Sequence, residues 1–116
     1  MTEKELKERT KRFALRILKM LDALPKTTAG RAIGSQLVRS GTAIGANYRA
    51  ACRGRSRAEF IAKLGNVEEE ADESAYWLEL IIDGGLLPGK SVQPLYDEAN
   101  ELTAIFAASI KTARRN

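Results

Sequence analysis

The chain has 116 residues, enough for one core and too few for two independent domains. Lysine and arginine number 19 against 15 acids, a net +4 with pI near 9.4, which favours acidic partners. The absence of histidine excludes Ser-His and Cys-His nucleophiles and Glu-x-x-His di-iron sites, and the single cysteine excludes an internal disulfide.

Leu6, Phe13, Ile17, Met20 and Leu24 recur at steps of three, four or seven, which predicts a first helix over about 4–24, stopped by Pro25. Thr28 is the expected cap of a second helix over about 28–53, with Ile33, Leu37, Ile44 and Tyr48 on one face and Gly54 at its end. Ser56 to Glu59 has capping-box spacing, and Phe60, Leu64, Val67, Ala71, Ser74, Leu78 and Ile81 then mark a third helix over about 57–83. After Pro88, Ser91 is the expected cap of a fourth helix over about 92–113, striped by Leu95, Ala99, Leu102, Phe106 and Ile110. No segment reads as a strand. Short turns force neighbouring helices antiparallel, so the expectation is an all-α, up-down-up-down four-helix bundle filling residues 1–116 as one domain. The charged opening residues and the lack of a long apolar run predict neither export nor membrane insertion, and the lone cysteine fits the cytoplasm.

The second helix is chemically unusual. Gly30, Gly34, Gly41 and Gly45 each cost about 1 kcal/mol relative to alanine inside a helix, and their place near the apolar face predicts close packing against a neighbour. On the opposite side Arg31, Arg39, Arg49 and Arg53 fall within roughly 80° of arc, with no acid in the helix. Arg55, Arg57 and Lys63 extend the cluster. These seven cations are the candidate nucleic-acid-binding residues, by contact with phosphates. The third helix has the opposite sign, with eight acids against Arg57 and Lys63, so the same arginines are also candidates for pairing with carboxylates within the chain or between copies.

Other chemistry is sparse. Glu68, Glu69, Asp72 and Glu73 diverge around one helix, so no metal site is expected, and nothing calls for a cofactor. Cys52 has Arg49 and Arg53 near it, which favours a thiolate, yet a lone helical cysteine is ordinarily a small packed hydrophobe. Leu15, Leu18, Tyr76, Leu80 and Tyr96 lie off the core stripes and form a candidate oligomer interface. Trp77 beside Leu78 is assigned to core packing.

The run Ser40-Gly41-Thr42-Ala43-Ile44-Gly45-Ala46-Asn47-Tyr48-Arg49-Ala50-Ala51-Cys52-Arg53, followed by Phe60-Ile61-Ala62-Lys63-Leu64 and Glu70-Ala71-Asp72-Glu73-Ser74-Ala75-Tyr76-Trp77-Leu78, resembles bacterial four-helix-bundle proteins related to those encoded in 23S rRNA intervening sequences. The likeness is closest over residues 35–87. It implies a homopentameric ring of bundles, and a relative in the wider group, the accessory protein of diversity-generating retroelements, associates with nucleic acid and a reverse transcriptase. The family has no established biochemical activity. Asn47, Tyr48, Arg49, Arg53, Phe60, Lys63, Glu70, Glu73, Tyr76, Trp77 and Leu78 match its motif, while Ala50 stands where many members carry glutamate.

The functional expectation is a non-enzymatic oligomeric accessory protein that binds RNA or DNA through the basic face of the second helix. The alternative is a protein-interaction scaffold in which the basic second and acidic third helices pair between subunits or with a protein partner, without nucleic acid.

Overall fold

The computed structural model describes all residues from Met1 to Asn116. Four helices follow one another: α1 (Glu3–Leu21), α2 (Thr28–Cys52), α3 (Arg57–Asp83) and α4 (Gly89–Arg115). They form an all-α bundle 46 Å long and about 20 Å across. None is long and apolar enough to cross a membrane.

Each helix start has a local cause. Thr2 and Glu5 make a reciprocal capping box on α1. Thr27, one residue before the expected Thr28, accepts the Gly30 amide at 3.1 Å and caps α2. Ser56 caps α3 through the Glu59 amide, but Glu59 accepts from the Arg55 amide, so the return bond of a full capping box lands one residue early.

Two boundaries depart from expectation. Helix α1 stops at Leu21, three residues before Leu24, the residue that Pro25 steers away from the helical region. Tight turns follow, with Ala23 donating to Met20 and Leu24 to Leu21, and these still deliver Leu24 to the core. Helix α4 starts three residues early. Pro88 is its N-cap, and Ser91, already helical, donates its hydroxyl to the Pro88 carbonyl and caps nothing. Between α3 and α4 the Leu86 amide reaches the Ile81 carbonyl and the Gly85 amide the Ile82 carbonyl. This double closure requires the positive φ of 67° that Gly85 supplies.

The core is one cluster drawn from all four stripes, with Phe13, Ile17, Leu37, Ile44, Leu64, Leu78, Leu102 and Phe106 fully enclosed. Met20, Ile33 and Phe60, expected inside, are half-buried. The α2 glycines do the expected work: a Cβ on Gly41 would lie 3.2 Å from Ile17, on Gly45 3.2 Å from Thr10, and on Gly34 3.2 Å from Leu24. The atoms they admit are chiefly side chains of α1 and its following turn.

Polar groups also enter the interior with partners. Thr10 donates to the Leu6 carbonyl, and Ser74 donates to the Glu70 carbonyl while sharing a 2.9 Å hydrogen bond with Ser40. Helix α3 packs against α2 and α4, and α2 packs against α1. Helices α1 and α4 touch only briefly, and α1 and α3 occupy opposite corners. Across the thin α1–α4 seam the Arg9 guanidinium grips Glu98 with two 2.8 Å bonds and reaches Glu101 at 3.0 Å.

Candidate nucleic-acid interface

The outer side of α2 carries Arg31, Arg39, Arg49 and Arg53, all exposed, and its surroundings change along the helix. At mid-length Arg39 turns toward α3, where Nη1 lies 3.3 Å from Glu70 and Nη2 binds Glu73. Trp77 Nε1 also donates to Glu73 at 3.2 Å. Burial raises the Glu70 carboxyl above its ordinary value, and the attraction of Arg39 does not cancel it. At Glu73 burial acts the same way, but the donors from Arg39 and Trp77 outweigh it and leave the carboxyl below its ordinary value. Arg39 is therefore engaged with carboxylates. Lys63 is held more loosely, 3.4 Å from Glu59 one turn earlier.

Arg31, Arg49, Arg53, Arg55 and Arg57 make no ion pair. They do not form one continuous stripe, because Arg31 lies near the start of α2 beside Asp22 and Lys26 while the other four gather where α2 ends and α3 begins.

The helix directions explain what a single-helix reading misses. With alternate helices reversed, residues 1–11, 46–66 and 105–116 share one end of the bundle, as the Tyr48 to Phe106 ring contact at 5.3 Å attests. That end holds twelve of the nineteen cations and four of the fifteen acids, while the rest of the molecule holds seven and eleven. Net side-chain charge is thus +8 over these three stretches and −4 elsewhere, or +6 and −2 when Glu98 and Glu101, which hold Arg9, are counted with it. Lys111, Arg114 and Arg115 of α4, and Lys7 and Lys11 of α1, join the α2 arginines there. Their signal in the sequence is the antiparallel topology itself, since periodicity within one helix cannot show what lies across the bundle end.

A shallow groove of about 400 Å³ runs between α1 and α2, bordered by Lys7, Glu8, Lys11, Thr42 and Arg49. Gly45 and Ala46 keep its floor low. Lys7 also pairs with Glu3 at 3.0 Å, an exposed one-turn bridge of the kind that water and salt readily loosen.

The off-stripe apolar residues fall into two patches. Leu15 and Leu18 are exposed on α1 (55% and 45%), whereas Tyr76 (52% exposed) lies on α3. Tyr96 of α4 shares a small hollow with Tyr76, Asp72 and Glu79, and both Tyr96 and Leu80 are half-buried. Because α1 and α3 sit at opposite corners, the patches face away from each other. Trp77 is half-buried against the core, its ring 5.2 Å from that of Tyr76.

Cys52 is half-buried beside Tyr48 and Glu3, and burial pushes its thiol above the ordinary value in spite of the nearby Tyr48 hydroxyl and Lys7, which act the other way. The thiolate-favouring effect anticipated from Arg49 and Arg53 does not materialise, because those side chains point to solvent. No three of the chain's cysteine and acidic residues converge on a metal-sized position.

A profile of the 23S rRNA-intervening sequence protein family matches residues 2–108. Among solved structures, a Bacteroides thetaiotaomicron protein of unknown function from the S23 ribosomal protein family superposes with a TM-score of 0.87. It is 33% identical, over 96% of this chain and 99% of that one. No functionally curated protein matches.

Proposed function

Since the chain belongs to the 23S rRNA-intervening sequence protein family, we propose that it is a cytoplasmic, non-catalytic, oligomeric accessory protein that holds RNA or DNA by its phosphates at the cationic pole. The observation that carries this reading is the concentration of charge: twelve cations against six acids, the Arg9 partners Glu98 and Glu101 included, with Arg49, Arg53, Arg55 and Arg57 free of carboxylate partners. Guanidinium groups suit phosphate oxygens because their planar donors can bind two at once. The family names of its relatives speak of 23S rRNA and of the ribosome, which makes RNA the first ligand to try. Two unlike apolar patches on opposite corners suit a head-to-tail assembly, which closes into a ring when the rotation between copies allows. The pentamer implied by the sequence resemblance is such a ring.

The salt dependence of binding tests the phosphate contact. Log affinity falls with log salt with a slope of about −0.9 per phosphate neutralised on duplex DNA and about −0.7 on single strands. Arg49→Ala is expected to make that slope shallower by a little under one unit, while Arg39→Ala changes it less because its guanidinium is already engaged. An unchanged slope for Arg49→Ala removes that residue from the site.

A scaffold reading is favoured by one observation, the Arg39 contact with Glu70 and Glu73, which joins the basic and acidic helices within a single chain. If the same pairing of opposite charges also joins subunits, Arg49→Glu breaks the assembly. Light scattering that finds the variant's assembly intact argues against it.

A further inference from the structure

At the cationic pole two hollows flank Phe60. One, of about 650 Å³, opens in the α1–α4 seam over Met1, Leu6, Ile105 and Ala108. The other, of about 380 Å³, lies under the α2–α3 turn beside Cys52 and Arg57. Phe60, Ala113 and Asn116 border both, and Glu3 is the one side-chain carboxylate on either rim. The larger hollow exists because α1 and α4 barely meet, so the seam is left unfilled where α4 runs past the start of α1. An apolar recess with a half-buried aromatic ring thus lies at the same end of the bundle as the unpaired arginines, with Arg57 on the rim of its smaller hollow.

We propose that this pole takes single-stranded nucleic acid, with phosphates on Arg49, Arg53, Arg55 and Arg57 and an unpaired base in the recess against Phe60. The inference rests on the nucleic-acid reading above and narrows it. A duplex keeps its bases stacked and can offer this surface only its phosphates, which leaves the apolar hollow empty. A single strand can turn a base out, and every base has a π face for an aromatic ring. The α1–α2 groove supplies a track for the continuing backbone, since Lys7, Lys11 and Arg49 line it against one carboxylate, Glu8.

Fluorescence anisotropy at low salt can compare a short oligothymidylate, an abasic strand of the same length and a duplex of that length. The base-bearing strand is expected to bind about tenfold more tightly than the abasic one. Phe60→Leu abolishes that difference without changing the salt slope, and Phe60→Trp keeps it. Quenching of 2-aminopurine in a bound strand reports stacking on the unaltered protein, so the test does not depend on the variants folding. Equal affinity of the wild-type protein for the base-bearing and abasic strands, tighter binding of the duplex, or a Phe60→Leu loss that falls alike on both strands overturns the recess while leaving phosphate binding in place. No binding of any of the three overturns the nucleic-acid reading itself.

Discussion

Arg39 and Arg49 share the outer side of α2 but meet different surroundings, and the difference decides which is free to act. Arg39 lies against the acidic stretch of α3, where Glu70 and Glu73 respond to it in opposite senses. The Glu73 carboxyl is held below its ordinary value, so its contribution to stability is full above the unfolded value of about 4.5 and is lost as pH falls through the folded one. For Glu70 the folded value is raised, so its ionised form costs stability at neutral pH, and acidification from the folded value toward 4.5 relieves that cost. Glu73→Gln is therefore expected to lower the urea midpoint at pH 7, by an amount that shrinks as both proteins are taken well below pH 4.5. Glu70→Gln is expected to leave the pH 7 midpoint unchanged or raise it. Equal losses in the two variants would show that the carboxylates act as one unit.

At the scale of the helix, the glycines of α2 and α3 make opposite predictions. Gly41 lies against Ile17, and added bulk there has nowhere to go, so Gly41→Val is expected to destabilise by about 1–3 kcal/mol. Gly65 is inside α3 with nothing within 4 Å of the place a methyl group would take, so Gly65→Ala is expected to stabilise by about 0.5–1 kcal/mol through helix propensity alone. Urea denaturation reads both. The helices themselves were legible because each carries an apolar stripe at helical spacing, and the α2 glycines announced close packing. The ends were less so. Thr27 and Thr28 are equally good caps by residue type, and Ser91 looks like a cap until the backbone of Pro88 starts the helix a turn earlier. Side-chain pairs between helices were the least legible: Arg9 and Glu98 lie 89 residues apart, and no local pattern links them.

Taken as a whole, the molecule is uneven in both cohesion and charge. Helix α1 is anchored to α2 but meets α4 through a thin seam whose main polar link is Arg9. Amide hydrogen exchange is accordingly expected to be faster in α1 than in the middle of α3, and Arg9→Met is expected to widen the gap. Exchange of α1 at the rate of α3 would mean that the bundle opens only as a unit. The charge asymmetry comes from chain direction, since reversing alternate helices collects cations from three separate stretches of sequence at one end. Sequence periodicity found the arginines of α2 and α3 but not their neighbours on α1 and α4, for which the whole bundle is needed. The most direct test of the account places two charge reversals at the pole, Arg53→Glu with Arg57→Glu, and compares them with two on the exposed middle of α1, Arg12→Glu with Arg16→Glu, in RNA binding across a salt series. Both variants have the same net charge. Loss of binding and a shallower salt slope in the pole variant, with binding largely kept in the other, is the predicted result; equal losses in the two, or no binding by the wild-type protein at low salt, would contradict it.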